Sequence, residues 1–156
     1  RECIDVCPTS AIIAPYELDA RKCISYLTIE NKNSIPEEMR KPIGNRIFGC
    51  DDCQIFCPWN KFAKKPVIDD FKPRDRFEDA SLKSLFEWSI EEWDEKTRGS
   101  AIRRTGYQGW LRNIAVALGN SKKERSTNDL LKSKKGQAGT MVDEHIDWAL
   151  EQQLSD

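Results

Sequence analysis

From Leu82 onward the apolar residues fall at helical spacing and divide into short amphipathic segments. Leu82, Leu85 and Phe86 keep the i, i+3, i+4 step, and Ser89 with Glu92 forms a capping box for a turn carrying Trp93. A third segment, Trp110 to Leu118, places Trp110, Leu111, Ile114, Ala115 and Leu118 on one stripe and stops at Gly119, read here as the helix terminator. A fourth begins near Ser126 and carries Leu130 and Leu131. The last takes Thr140 as its cap with Asp143 three residues on, and sets Val142, Ile146, Ala149 and Leu150 on the core face. Short helices joined by small loops predict a helical-repeat module of one or two repeats. Trp88, Trp93, Trp110 and Trp148 belong in its core. His145, the only histidine, sits beside Asp143 and reads as a surface or capping residue without chemistry.

The first third of the chain has a different texture. All six cysteines, Cys3, Cys7, Cys23, Cys50, Cys53 and Cys57, lie before residue 58, and the stretch from Asp69 to Arg76 after Pro66 reads as an exposed connector. Disulfides are arithmetically possible, with 15 pairings, yet a stapled fold would spread its bridges through the part that needs them. The step Cys50-x2-Cys53 also fits a zinc ribbon with Cys23 as a further ligand. Zinc gives no reason for Cys57 and Pro58. The run Cys50-x2-Cys53-x3-Cys57-Pro58 is the end of the bacterial ferredoxin motif, and the same ending recurs as Cys3-x3-Cys7-Pro8.

In that motif the cysteine before proline serves the other cluster. Cys7 is then expected with Cys50 and Cys53, and Cys23, 27 residues before Cys50, is their natural fourth ligand. Cys3 and Cys57 would serve a second cluster, whose remaining two ligands the spacing puts ahead of Arg1. The expectation is one complete [4Fe–4S] site here and half of another, in a piece of a longer protein that opens on Arg1 rather than Met.

Length, composition and charge narrow the function. The 156 residues are 38% hydrophobic and 33% charged, which suits one domain or two small ones. No run approaches the ~18 consecutive apolar residues of a membrane span, and no signal peptide opens the chain, so neither a membrane protein nor a secreted precursor is expected. Net charge is −1, but residues 96–135 carry +9 while the segments before and after carry −5 each. Arg98, Arg103, Arg104, Arg112, Lys122, Lys123 and Arg125 around Tyr107 and Trp110 suit a surface that contacts phosphates, contributing affinity and salt dependence rather than sequence choice.

The runs Cys3–Ile12, Asp19–Glu30, Ile43–Cys53 and Cys57–Phe62, with Gly99–Arg104 and Trp110–Asn120, together resemble the C-terminal half of the epoxyqueuosine reductase family. Reductive dehalogenases are similar in their cofactors but lack the helical tail. The resemblance implies a mostly α, α+β fold: a ferredoxin-like two-[4Fe–4S] segment over residues 1–66, then a short HEAT-like helical tail over 67–156. It implies a cytoplasmic, monomeric oxidoreductase that reduces epoxyqueuosine to queuosine in a tRNA anticodon loop, releasing water and consuming two electrons and two protons. It further implies an external electron donor and a cobalamin held by an N-terminal domain that has no counterpart here. No catalytic residue is therefore carried over, and this chain alone is expected to have no turnover. Two other classes stay open: a ferredoxin-type electron carrier whose tail docks a redox partner, and a zinc module. Binding to tRNA and iron content separate the three.

Overall fold

A computed structural model describes residues 1–64, 66–68, 77 and 80–154. It is mostly helical with one small sheet. Helix α1 (Glu2–Asp5) leads to an antiparallel hairpin, β1 (Ile12–Ala14) and β2 (Glu17–Leu18), with Ile12 opposite Leu18. A 3-10 turn (Ala20–Lys22), a π-helical turn (Tyr26–Glu30), α2 (Glu37–Ile43) and α3 (Asp52–Ile55) complete the cysteine segment. After a 3-10 turn at Pro58–Phe62 come α4 (Leu82–Glu87), α5 (Ile90–Lys96), a 3-10 turn at Ala101–Thr105, α6 (Tyr107–Gly119), α7 (Arg125–Lys134) and α8 (Thr140–Leu154). The connector expected over residues 69–76 lies outside the described residues. No helix among the described residues is long and apolar enough to cross a membrane.

Helix α6 is the axis of the molecule, buried from Gly109 to Gly119 and packed against α8, α4, α2 and the π turn. One apolar core runs through both sequence segments: Ile24, Leu27, Ile35 and Ile43 share it with Phe86, Trp110, Ile114 and Ile146. Trp88, Trp93, Trp110 and Trp148 are all buried, as their spacing predicts, and Trp88 stacks on Trp110 at 5.6 Å between centroids. The capping box is present: Ser89 Oγ accepts from Glu92 N at 3.2 Å, and Glu92 Oε2 accepts from Ser89 N at 2.9 Å.

One expectation holds in part and two change. Gly119 does end α6, as its last residue, but without a left-handed conformation; α8 crosses there, and a Cβ would come within 2.7 Å of Trp148 and 2.9 Å of Ala149. Thr140 is the first residue of α8 rather than its cap, since Gly139 O accepts Asp143 N–H at 3.1 Å. His145 is fully buried: its Nε2 accepts Ile35 N–H at 3.0 Å and its Nδ1 donates to Met141 O at 2.7 Å. Burial lowers its pKa from 6.5 to about 4, which keeps the ring neutral and tied between α8 and the segment before α2.

The two halves are joined by polar side chains as well. A π turn departs from α-helical hydrogen bonding, and its carbonyls and those just beyond need partners. Arg112 on α6 supplies them, donating to Leu27 O at 2.8 Å, Asn31 O at 2.8 Å and Asn33 O at 2.6 Å. Asn113 donates to Thr28 O at 2.7 Å and Ile47 O at 2.8 Å, and Asn120 to Arg40 O and Gly44 O. Arg112 is wholly buried.

Candidate metal centre

The two Cys-x3-Cys-Pro endings fold alike. Each holds a four-residue helix, α1 or α3, with a cysteine at its second position and a cysteine before proline just past its end. In α1 Val6 N donates to Glu2 O at 3.0 Å and Cys7 N to Ile4 O at 3.4 Å; in α3 Phe56 N donates to Asp52 O at 3.0 Å and Cys57 N to Gln54 O at 3.1 Å. The two short helices pack on each other.

That packing brings Cys7 to the second loop. Cys7, Cys23, Cys50 and Cys53, the four cysteines grouped by motif spacing, line one cavity of about 380 Å³ walled by Ile12, Leu18 and Ile24. Cys3, on α1, and Cys57, past the end of α3, do not line it. All six thiols are free and half-buried. Among the described residues no three His, Cys, Asp or Glu side chains are grouped closely enough to hold a single metal ion. The thiols stand around a space rather than on a point, which fits a polynuclear iron–sulfur cluster.

Cys7, Cys23 and Cys50 are each held by a local device. Ser10, at φ 50°, turns the chain back so that Ala11 N–H donates to Cys7 Sγ at 3.2 Å. Cys23 follows a 3-10 turn capped by Asp19, whose carboxylate accepts Arg21 N–H at 3.1 Å. Ser25 Oγ, on the π-turn side, accepts Cys50 N–H at 3.0 Å, and Thr28 Oγ1 accepts Gly49 N–H at 2.9 Å. Support therefore runs from α6 through Arg112 and Asn113 to the π turn, and from there to Cys50. Spacing gives the cysteines but not this frame, because buried Arg, Asn and hydroxyl side chains leave no period in a sequence.

Electrostatics differ among the thiols. Burial pushes the Cys7 thiol up, but amides of Ile12, Ala11 and Thr9 outweigh it and leave it below the usual thiol range. Burial raises Cys53, and the neighbouring Cys50, Cys23 and Cys7 add to that. Burial also raises Cys50, against the Asp52 amide, which lowers it, and the Asp52 carboxylate, which raises it further.

The basic set is exposed apart from Arg112, and several of its members meet carboxylates. Arg112 and Trp110 are internal, Arg103 pairs with Asp94, Arg98 lies 3.8 Å from Asp94, and Arg104 meets Glu30 at 2.7 Å. Arg125 lies 3.8 Å from Asp129, and Lys122 and Lys123 are exposed at the start of the α6–α7 loop.

A family described as "4Fe-4S double cluster binding domain" matches residues 1–60. The chain is 55% identical over 150 residues to an epoxyqueuosine reductase of Xanthomonas campestris pv. campestris, covering 96% of this chain and 42% of that protein. Its fold is similar to the structure of epoxyqueuosine reductase from Bacillus subtilis, at 32% identity and a TM-score of 0.88, over 98% of this chain and 41% of that one. It is also similar to an epoxyqueuosine reductase crystallised with an epoxyqueuosine-modified tRNA stem loop, at 32% identity and a TM-score of 0.87, over 97% of this chain and 40% of that one. The chain thus spans about two-fifths of the proteins it matches.

Proposed function

We propose, for a chain that by sequence and fold belongs to the epoxyqueuosine reductase family as a homologue of its members' C-terminal part, that it is the electron-relay and tRNA-contacting portion of such an enzyme. The observation that carries this is the meeting of Cys7, Cys23, Cys50 and Cys53 around one cavity. In this reading those four hold a [4Fe–4S] cluster, and Cys3 and Cys57 supply two ligands of a second. A bound [4Fe–4S] cluster supplies one-electron transfer at a potential set by its surroundings. The residues of this chain fix the thiolates, exclude water from one side with Ile12, Leu18 and Ile24, and donate amide hydrogen bonds to sulfur from Ala11 and its neighbours.

The finer parts of the reading follow from kinship. The substrate is epoxyqueuosine in a tRNA anticodon loop, and the product queuosine. Cobalamin belongs to the portion of the longer enzymes that this chain does not span, and electrons come from an external donor. Residues 1–66 act as the ferredoxin-type part and residues 67–156 as a HEAT-like frame in a monomeric, cytoplasmic protein. Of the basic set, Arg98, Arg104, Lys122, Lys123 and Arg125 are exposed cations offered to RNA phosphates.

Anaerobic reconstitution tests the reading. The chain should take up about four irons and four sulfides with brown absorbance, and Cys23→Ser should lose them. Unchanged iron and spectrum in Cys23→Ser would defeat the ligand assignment. Binding to a tRNA stem loop should weaken as salt rises, whereas selective binding to an acidic redox protein would favour the stand-alone carrier. Queuosine formed by this chain alone would overturn the division of labour with a cobalamin-bearing part.

A further inference from the structure

A salt bridge stands at the wall of the thiol cavity, beside Cys50. Asp52 is the first residue of α3, between Cys50 and Cys53, and it lines the cavity. Its Oδ2 accepts from Arg46 Nη2 at 2.6 Å, while Arg46 Nη1 donates to Ile43 O at 3.0 Å. The two side chains are only 29% and 20% exposed, so their charges are less screened than a surface pair's. Gly44, at φ 63°, leaves room for the guanidinium: a Cβ there would stand 3.3 Å from Arg46 Nη1. The cation is thus pinned at a fixed place, against a carboxylate that lines the thiol cavity. Asp51, the preceding residue, accepts from Gln54 Nε2 at 3.4 Å. Glu17, the other carboxylate on the cavity wall, belongs to the hairpin.

We infer that Arg46 and Asp52 form a charge-compensated pair that sets how readily the site bounded by Cys7, Cys23, Cys50 and Cys53 accepts an electron, Arg46 acting as a positioning residue through Asp52; this rests on the cluster reading above. An arriving electron adds negative charge, which a nearby cation favours and a nearby carboxylate opposes. Arg46→Gln leaves the Asp52 charge uncompensated and makes reduction harder. Asp52→Asn leaves the guanidinium charge alone and makes reduction easier. The double variant restores balance, and Arg46→Lys keeps it.

The test is a potentiometric titration of the reconstituted chain, followed by visible absorbance and electron paramagnetic resonance, with iron measured on every sample. At fixed ambient potential Arg46→Gln should lower the ratio of reduced to oxidised protein about tenfold, ~59 mV for one electron, and Asp52→Asn should raise it by a similar factor. The double variant and Arg46→Lys should stay within about threefold of the parent. Iron-loaded single variants that do not shift overturn the inference, as does an Arg46→Lys shift equal to that of Arg46→Gln. Loss of iron from the single variants makes the pair a structural one and overturns it too. A parent chain that takes up no iron defeats the ligand assignment itself, and the pair with it.

Discussion

Replacing Gly119 by alanine adds one methyl group where α6 and α8 touch. That carbon would lie 2.7 Å from the Trp148 ring, 2.9 Å from Ala149 Cα and 3.1 Å from Ala149 Cβ. Carbon atoms sit comfortably at about 3.5–4.0 Å, so the overlap approaches 1 Å, and one of its targets is backbone that cannot rotate away. Overpacking costs about 1–3 kcal/mol, and backbone contact puts this site near the upper end. Alanine returns about 1 kcal/mol of helix propensity, leaving a net loss of about 2 kcal/mol. Gly109 on the same helix is the control: a Cβ there meets Thr105 Cβ at 3.5 Å and Arg112 Nη2 at 4.0 Å, ordinary contact. Gly109→Ala should therefore stabilise by about 0.5–1 kcal/mol. Thermal unfolding by circular dichroism, with both variants in the same metal state, should move Tm down by roughly 4–8 °C for Gly119→Ala and up by roughly 1–4 °C for Gly109→Ala, at about 2–4 °C per kcal/mol for a chain this size. Shifts of the same sign in both would refute the reasoning.

Arg112→Met strips donors from the carbonyls of Leu27, Asn31 and Asn33 and should cost about 3–5 kcal/mol by urea unfolding, with Arg112→Lys in between. Ser25→Ala removes the hydroxyl that accepts Cys50 N–H; iron release to a chelator should quicken while the overall circular dichroism stays that of the parent. His145 binds its proton less readily folded than unfolded, with a pKa of about 4 against 6.5. Stability should therefore be full above pH ~6.5 and fall, by up to about 3 kcal/mol, as pH drops through ~4. The Arg40 and Arg112 charges reinforce that penalty and Glu144 opposes it. His145→Gln should flatten the urea midpoint against pH relative to the parent, and equal slopes would remove His145 as the cause.

The apolar stripes of the tail were readable because helical burial leaves a period: α4, the capped α5, α6 and α8 all lie where the pattern puts them. Motif spacing groups Cys7, Cys23, Cys50 and Cys53 as one ligand set, and the same four line one cavity. What escaped was the polar interior. Arg112 reads as one more cation in a basic block and His145 as a surface ring, because a sequence does not reveal that a charged or polar side chain has found carbonyls to serve. Gly119 reads as a stop signal, and α6 does end there, but nothing in the sequence shows that its missing Cβ admits Trp148 and Ala149. Arg46 and Asp52, six residues apart in an irregular stretch, have no period at all.

The shared interior also bears on portability. Ile24, Leu27, Ile35 and Ile43 have no separate core to fall back on, and three carbonyls near them depend on an arginine some eighty residues downstream. A miniature excised at residue 66, the size of a small electron carrier, would keep every cysteine and lose the scaffold that aims them. Engineers wishing to transplant this wiring must move the whole span through α8, and the thiol spacing alone is not a transferable cassette.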